Sequence, residues 1–392
     1  METITISLFH TKGKSYIKKS QLTPGIFYLS ITEALKATAL FILKIMYNKA
    51  KQNLKTMKKI ALISGSTHLA LAQKISFDLN VRLTEVSIEK FSCDEINVEI
   101  KETVRGAEVF IIQSSLTGHG NDNFVEAMLI IDAAKRAGAS KVYLVQTIFP
   151  YQRQDRRETN RRNRPKRKAI SGRVMADCFA RAVFVDGIIS IKLHSDQIEG
   201  FFDNRTLIEN IDPTSLFIEY LKSENIIRSE YGDSKPPTVV APDIGSAKTA
   251  DSFSEALGLN DYVIVNKRRT KSNESEVLHV IGDYSGRICI IYDDMIDTGG
   301  TVVNSQKKLQ ELKEAGATDV YLMAPHGIFS KNAIERLSNS DFKKIVITDS
   351  IPNPQVENNE KFVILSLAPL LKSVIKNIHD AESLQPVVAN KS

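Results

Sequence analysis

The chain has 392 residues, enough for two domains that each bury a core. Its 42% hydrophobic and 25% charged residues are typical of a soluble globular protein. The net charge of +6 arises in one segment, residues 153–173, where ten cations and two acids give +8, so the remainder is slightly acidic and a nucleic-acid-binding surface over the whole chain is excluded. The cysteines, at positions 93, 178 and 289, have no metal-ligand spacing and indicate reduced thiols in a cytosolic protein.

The first 56 residues precede any regular alternation of strands and helices. The most apolar stretch there, residues 25–47, is interrupted by three charged side chains, whereas a membrane span needs roughly 20 mostly apolar residues. Residues 1–56 contain no arginine, which argues against an Arg-rich transit peptide. We therefore expect a cytoplasmic protein without a membrane anchor. Residues 1–56 are expected to be a disordered or dispensable extension, or to be absent from the mature protein, with Met57 as its functional start.

From Lys59 onward, short β-branched runs alternate with helical patterns. We predict helices over residues 69–79, 123–137, 172–182, 247–257 and 302–315. We predict strands over residues 60–63, 109–113, 142–147, 188–193, 238–241, 262–265, 288–292, 320–324, 344–348 and 362–365. This alternation predicts βαβ crossovers, and therefore an α/β protein whose parallel sheets are flanked by helices.

Two segments of the chain match each other. In residues 135–144 and in residues 313–322, a helix ends at Gly, a short turn follows and an apolar strand begins. The match predicts two copies of one α/β domain. We place them at residues 57–205 and 206–385.

The segment from residue 287 to residue 301 is the most informative one for chemistry. A buried strand ends in Asp293 and Asp294, a turn rich in Gly and Thr follows, and then a helix begins. The backbone N–H groups at such a helix N-terminus bind phosphate, while carboxylates accept hydrogen bonds from ribose hydroxyls and hold Mg²⁺ through its waters. The pattern therefore favours a sugar-phosphate site. The alternative is an Asp pair that only caps the next helix.

Other polar clusters follow predicted strands, where ligands bind in open α/β sheets. Arg153 follows the strand at residues 142–147 and could bind phosphate, although the segment could also be a solvated basic turn. His194, at the end of another strand, could ligate a metal, contact phosphate or be purely structural. Asp243 precedes a glycine and a helix N-terminus that can bind an anion. Lys267 and Arg269 open a polar stretch that could be a mobile loop over a phosphate chain or a solvated hairpin.

The order and spacing of these clusters resemble those of class I ribose-phosphate pyrophosphokinases, also called phosphoribosyl diphosphate synthetases. The resemblance runs from about residue 57 to about residue 379, and the final loop by itself resembles that of type I phosphoribosyltransferases. It implies two tandem type I phosphoribosyltransferase-like domains. It also implies an enzyme that transfers the diphosphate of MgATP to the anomeric hydroxyl of ribose 5-phosphate, giving 5-phosphoribosyl 1-diphosphate and AMP.

The resemblance also implies roles for individual residues. Asp293 and Asp294 would bind the ribose hydroxyls, His194 and Asp243 would face Mg²⁺, and Lys267 and Arg269 would be catalytic. The 5-phosphate would lie on Asp297, Thr298, Gly299, Gly300 and Thr301. The adenine of ATP would contact Arg153, Gln154 and Asp155, and also Phe91 and Glu95 of a neighbouring subunit, so the resemblance implies a homo-oligomer, commonly a hexamer.

Several positions depart from the family pattern. Cys93 replaces an acidic residue of the adenine loop, Ser246 replaces a glycine, and Thr249 replaces an arginine. Lys192 replaces an aspartate two residues before His194 and should weaken a Mg²⁺ site there if its side chain points inward. These changes leave open a weakly active or non-catalytic regulatory paralogue, and the basic segment leaves open RNA binding. An ordinary phosphoribosyltransferase is the least favoured alternative, because it needs neither two matching halves nor the adenine-side residues.

Overall fold

The computed structural model describes residues 5–11, 14–20, 44, 59–115, 120–159, 164–268, 277–310 and 316–385. The chain divides into two compact units, Met1–Met57 and Lys58–Ser392. In the first unit, β1 (Thr5–Thr11) and β2 (Lys14–Ser20) pair as an antiparallel hairpin, which the sequence did not predict. No helix among the described residues is both long enough and apolar enough to span a bilayer.

The second unit begins with a five-stranded parallel sheet. Its strands lie side by side in chain order: β3 (Ile60–Ser64), β6 (Glu108–Gln113), β7 (Lys141–Gln146), β8 (Gly187–Ile191) and β9 (Leu207–Ile211). A separate antiparallel hairpin, β4 (Val86–Lys90) and β5 (Ile96–Ile100), lies between β3 and β6 in the chain. The helices of this part are α1 (Leu69–Leu79), α2 (Gly120–Arg136) and α3 (Ser171–Asp177), and α3 continues into a π-helical turn, Cys178–Ala182.

A seven-stranded sheet follows, with the order β12-β11-β10-β13-β15-β17-β18, in which only β12 is antiparallel. These strands are β10 (Thr238–Ala241), β11 (Tyr262–Arg268), β12 (Val277–Ile281), β13 (Ile288–Tyr292), β15 (Asp319–Ala324), β17 (Ile345–Thr348) and β18 (Phe362–Leu365). Two short strands, β14 (Met295–Ile296) and β16 (His326–Gly327), pair separately. The helices are α4 (Thr214–Ser223), α5 (Ala247–Ala256), α6 (Gly300–Gln310), α7 (Ala333–Ser338) and α8 (Ala368–Asp380). Residues 311–315 of the predicted helix over 302–315 lie outside the described residues.

The two sheets share one plan. The consecutive neighbours β3, β6, β7, β8 and β9 of the first sheet correspond to β10, β13, β15, β17 and β18 of the second. The matching segments noted in the sequence run into β7 and β15, which hold the same place in the two sheets. The predicted fold class, α/β with two parallel sheets flanked by helices, is therefore confirmed.

Two elements that lie beyond the predicted boundary at residue 205 belong to the first sheet or pack against it. Strand β9 is the last strand of the first sheet although it lies beyond that residue. Helix α8, near the end of the chain, packs Leu371 and Val374 against Leu62 and Leu71 of the first half. One face of the first sheet is thus covered by a helix that the sequence assigned to the second domain. The division into 57–205 and 206–385 stays a prediction.

Candidate active site

A cleft of about 490 Å³ lies where the carboxyl ends of strands from both sheets meet. Its walls come from segments that follow β7, β8, β10 and β13, as expected for ligand sites in open α/β sheets. Most of the residues predicted from the sequence line it: Arg153, Asp155, His194, Asp243, Asp293, Asp294, Asp297, Thr298, Gly299, Gly300 and Thr301. Separate parts of the chain therefore form one polar site.

The turn after β13 is held in the shape of an anion site. Gly299 has φ +71°, a conformation that side chains disfavour, and a Cβ there would lie 3.3 Å from Leu337 Cγ. Helix α6 starts at the next residue, and Arg336 Nη1 donates to the Thr298 carbonyl oxygen at 2.6 Å. The first turn of α6 therefore presents its free backbone N–H groups at the cleft, where they can bind a phosphate.

The two carboxyl groups at the end of β13 differ in their surroundings. Asp293 accepts a hydrogen bond from Ser246 Oγ at 3.0 Å, whereas Asp294 Oδ2 lies 2.6 Å from His194 Nδ1. Burial, and then the charge of Asp294, raise the pKa of Asp293 to about 8. Burial acts in the same direction on Asp294 and is the largest single influence, but the hydrogen bond and charge of His194, together with smaller contributions from His326 and Asp293, outweigh it and lower the pKa of Asp294.

The same hydrogen bond raises the pKa of His194. The raised pKa of His194 favours its protonated form beside the ionised Asp294, while the pKa of about 8 keeps Asp293 mainly neutral at neutral pH. Because Nδ1 is engaged by Asp294, Nε2 is the ring nitrogen left for a ligand.

Asp293→Asn is expected to remove a loss of stability that the wild type shows as the pH rises from about 4 to about 8. The folded protein binds the Asp293 proton more tightly than the unfolded chain does, so its stability falls as pH rises from about 4 towards 8. Each pH unit between the two pKa values corresponds to about 1.4 kcal/mol, and we expect the variant to gain on the order of 4 kcal/mol over the wild type between pH 5 and pH 8. Urea unfolding at the two pH values measures this difference, and parallel pH profiles for the two proteins would contradict the assignment.

Asp297 of the predicted phosphate loop is paired with a cation. Its Oδ2 accepts from Arg153 Nη1 at 2.6 Å. Burial opposes ionisation, but hydrogen bonds from Ser330 and Arg153 lower the pKa of Asp297. The ion pair joins the segment after β7 to the loop after β13, so the adenine-side and sugar-side residues of the prediction are in direct contact.

Asp243 and Ser246 follow β10, and they connect the end of this strand to Asp293. The Asp243 carboxylate accepts from the backbone N–H of Ser246 at 3.1 Å and so caps the turn before α5. Ser246 Oγ also lies 3.4 Å from Asp243 Oδ1 and 3.0 Å from Asp293 Oδ1. The serine that replaces the family glycine therefore links two acidic residues of the cleft.

The described part of the chain contains no group of three His, Cys, Asp or Glu side chains close enough to hold a metal ion by themselves. His194, Asp243 and Asp294 nevertheless line one cleft. Mg²⁺ is usually held by one or two carboxylates together with substrate phosphates and water. The residues present fit a cation of that kind, bound mainly through substrate oxygens.

Lys192 does not line this cleft. Its Nζ lies 2.5 Å from Asp212 Oδ2, and Thr214 Oγ1 donates to the other oxygen of the same carboxylate at 2.6 Å. The expected weakening of a Mg²⁺ site required an inward-pointing lysine, and that condition is not met.

Lys192→Met is expected to lower stability without changing the response to Mg²⁺. The change leaves the half-buried Asp212 without its cation, which should cost about 1–2 kcal/mol in the free energy of unfolding. The Mg²⁺ concentration for half-maximal activity should stay within about two-fold, because the lysine charge is already neutralised. Chemical denaturation and a Mg²⁺ titration measure the two quantities, with the exposed Lys222→Met as control. A marked fall in the Mg²⁺ requirement would contradict the outward orientation.

Some predicted residues lie outside the cleft. Phe91 is exposed, on the turn between β4 and β5, where its N–H donates to the Glu95 carbonyl oxygen at 2.8 Å. Gln154 lines an adjoining pocket of about 370 Å³ and accepts from Ser171 Oγ at 2.7 Å. These three residues are therefore not brought to the cleft within one chain.

The predicted catalytic cations are only partly described. The backbone of Lys267 belongs to β11, opposite Leu278 of β12, so the predicted strand over 262–265 runs on to residue 268, and the antiparallel pairing fits the hairpin alternative at these residues. The pairing with β12 extends it, and polar composition alone had suggested a loop. The side chain of Lys267 and all of Arg269 lie outside the described residues.

The sequence analysis did not identify two further polar residues at the site, Gln152 and Ser195. Gln152 Oε1 accepts from the backbone N–H of His194 at 3.0 Å, and Ser195 lines the cleft beside it. Both are common polar residues in segments that had already been noted, and no spacing distinguishes them.

These features define a protein of the type I phosphoribosyltransferase fold class, in which the loop after β13 of the second sheet faces polar residues that follow strands of the first. A family model described as the N-terminal domain of ribose phosphate pyrophosphokinase matches residues 60–182. A second, described as a phosphoribosyl synthetase-associated domain, matches residues 265–388. The chain belongs to the ribose-phosphate pyrophosphokinase family.

Individual relatives agree with this assignment. A ribose-phosphate pyrophosphokinase of Vibrio cholerae is 40% identical over 329 residues, which are 84% of this chain and 98% of the relative. One from Shewanella oneidensis is 37% identical over 335 residues, 85% of this chain and 100% of the relative. The crystal structure of phosphoribosylpyrophosphate synthetase from Mycobacterium smegmatis matches with a TM-score of 0.72 at 32% identity, covering 83% of this chain and 100% of that one. The predicted phosphoribosyltransferase-like fold is thereby confirmed.

Proposed function

We propose that the protein transfers the diphosphate of MgATP to the anomeric hydroxyl of ribose 5-phosphate, forming 5-phosphoribosyl 1-diphosphate and AMP. The observation that carries the proposal is the single cleft that places the loop Asp293–Thr301 opposite His194, Asp243 and Arg153. The chain is similar to ribose-phosphate pyrophosphokinases over most of its length, which supports the same reaction.

Ribose 5-phosphate fits the side of the cleft formed by the loop after β13. Its 5-phosphate would lie on the N–H groups and hydroxyls of Thr298, Gly299, Gly300 and Thr301. Asp297 would anchor this loop through Arg153 rather than touch the phosphate, because two anions repel. Asp293 and Asp294 would accept or donate hydrogen bonds at the ribose hydroxyls, and the neutral Asp293 can do both.

ATP would occupy the side formed by the first sheet. His194 and Asp243 would face its phosphates, with Arg153, Gln154 and Asp155 towards the adenine. Phe91 and Glu95 would reach the adenine of a neighbouring subunit, which their exposed position on the β4–β5 hairpin permits. A homo-oligomer, such as a hexamer, and a cytoplasmic location are part of the proposal.

The chemistry is a substitution at the β-phosphorus of ATP. The anomeric oxygen forms a bond to that phosphorus, the bond from the phosphorus to the α,β-bridging oxygen breaks, and AMP leaves with the electron pair while the hydroxyl proton is lost. Mg²⁺, held by His194, Asp243 and the substrate phosphates, would supply charge neutralisation. Lys267 and Arg269 would stabilise the negative charge on the transferred group.

A coupled assay for AMP release tests this function. Purified protein with ATP, Mg²⁺ and ribose 5-phosphate should release AMP and form an equal amount of 5-phosphoribosyl 1-diphosphate, whereas omission of the sugar should abolish both. Thr298→Val should raise the KM for ribose 5-phosphate because it removes a donor at the phosphate. A lack of turnover by the folded protein would contradict the proposal. Stimulation of an added, known active synthetase by the inactive protein would identify a regulatory subunit instead.

A further inference from the structure

His326 lies directly behind the sugar-phosphate loop. Its strand β16 pairs in parallel with β14, where Met295 lies opposite His326. The backbone N–H of His326 donates to the Asp294 carbonyl oxygen at 3.3 Å, and its imidazole is fully buried. The residue does not line the cleft, so it has no direct part in binding or in the reaction.

The hydrogen bonds of the ring determine its tautomer. Nε2 lies 3.1 Å from the carbonyl oxygens of Ile191 and of Lys192, and since carbonyls only accept, Nε2 carries a hydrogen. Nδ1 lies 2.9 Å from Ser350 Oγ. Burial lowers the pKa of His326, so the ring is neutral and Nδ1 is the acceptor.

The two accepting carbonyls belong to the end of β8, in the other sheet. Lys192 has φ +33°, so the chain turns sharply there before it reaches His194. His194 contacts the loop after β13 of the second sheet, because its Nδ1 lies 2.6 Å from Asp294 Oδ2. The segments 191–194 and 294–326 are thus joined twice, once through the His326 ring and once through the His194–Asp294 pair.

We infer that His326 is a positioning residue that holds the end of β8 against the Asp294 loop and thereby directs His194 Nε2 into the cleft. The inference rests on the proposed diphosphoryl transfer, in which His194 acts at the ATP phosphates. A catalytic group misplaced by about 1 Å can lose about 10²-fold in rate, so a buried side chain that sets its position influences turnover strongly.

Two conservative variants separate positioning from simple packing. In His326→Gln, the amide nitrogen reaches the position of Nε2 and can still donate to the two carbonyls. In His326→Asn, the shorter amide reaches the position of Nδ1, near Ser350, and leaves the carbonyls without their donor. We expect kcat to fall about 10- to 100-fold in His326→Asn and only a few-fold in His326→Gln, with the KM for ribose 5-phosphate nearly unchanged in both.

A double-mutant cycle identifies the group through which His326 acts. In a His194→Ala background, His326→Asn should have almost no further effect on kcat. Ser350→Ala, which changes the ring's partner but not the ring, should give a smaller fall in kcat that also disappears in that background. Equal losses in the Asn and Gln variants, or equal losses with and without His194, would overturn the inference.

A structural measurement tests the inference independently of enzyme activity. Crystal structures should show the His194–Asp294 contact intact in His326→Gln and broken in His326→Asn. If the wild type has no activity, a broken contact in His326→Asn would still support the positioning, whereas the missing activity would contradict the proposed function. An intact contact in His326→Asn would contradict the positioning alone.

Discussion

Lys267→Ala is expected to lower kcat by about 10³-fold, while the Kd for ribose 5-phosphate stays nearly unchanged. The transferred phosphoryl group gathers negative charge in the transition state, and a positioned cation stabilises this charge far more there than in the bound substrates. Removing such a cation therefore lowers kcat rather than sugar affinity. Steady-state AMP release and calorimetric titration of the sugar measure the two quantities.

The strand register supports this position for the lysine. In the parallel pair of β10 and β11, Ala241 lies opposite Ile264. Lys267 is three residues farther on, roughly 10 Å beyond that level at about 3.3 Å per residue. The backbone thus carries Lys267 past the carboxyl edge of the sheet, the edge at which Asp243 lines the cleft.

A matched control is available at the opposite edge of the same sheet. Lys235 precedes β10, is exposed and forms an ion pair with Asp283 at 3.3 Å. Lys235→Ala makes the same change in net charge but should leave kcat within about two-fold, because surface pairs contribute little. Equal rates for the wild type and Lys267→Ala would refute the catalytic assignment, and a large loss of sugar affinity would place the lysine on the other substrate.

The apolar strands were the part of the fold most accessible from the sequence. β10, β13 and β18 have the predicted bounds. β10 and β13 are almost entirely buried, and a strand buried on both faces needs an uninterrupted apolar run that ends where the chain leaves the core. Among the strands that the sequence analysis missed, β5 and β9 carry both Glu and Asn among their apolar residues. Their pairing depends on neighbouring strands, which no local pattern shows.

The candidate site could be predicted as a set of residues but not as a set of contacts. The rule that ligands bind beyond the carboxyl ends of parallel strands selected Arg153, His194, Asp243 and the Asp293–Thr301 segment, and these residues line one cleft. It could not show that Lys192 turns away from the cleft, because that depends on Asp212, twenty residues later.

The difference between the pKa values of Asp293 and Asp294 also depends on the folded structure. Asp293 and Asp294 are adjacent and chemically identical in the sequence. Their pKa values separate because burial and the charge of Asp294 raise that of Asp293, whereas the contact with His194, from the other sheet, helps to lower that of Asp294. Only the folded arrangement distinguishes the neutral carboxyl group from the ionised one.

Asp294→Asn is expected to lower kcat/KM by about 10²- to 10³-fold. The substitution removes an ionised acceptor from the ribose hydroxyls and from His194, and each hydrogen bond to a charged group contributes about 1.5–3 kcal/mol. The loss should appear in kcat as well as in KM, because the pair with His194 serves the ATP phosphates and the ribose contact serves the sugar. Asp196→Asn, at an exposed carboxylate on the same turn as His194, provides the matched control and should change neither constant appreciably.

The same variant also tests the coupling between the two aspartates. Without the charge of Asp294, the pKa of Asp293 should fall back towards its ordinary value, although burial still keeps it raised. Because a smaller upward shift means a smaller excess of bound protons in the folded state, the loss of stability between pH 5 and pH 8 should be weaker than in the wild type. If urea unfolding shows an unchanged pH dependence in Asp294→Asn, then burial alone raises the Asp293 pKa, and the two carboxyl groups do not act as one unit.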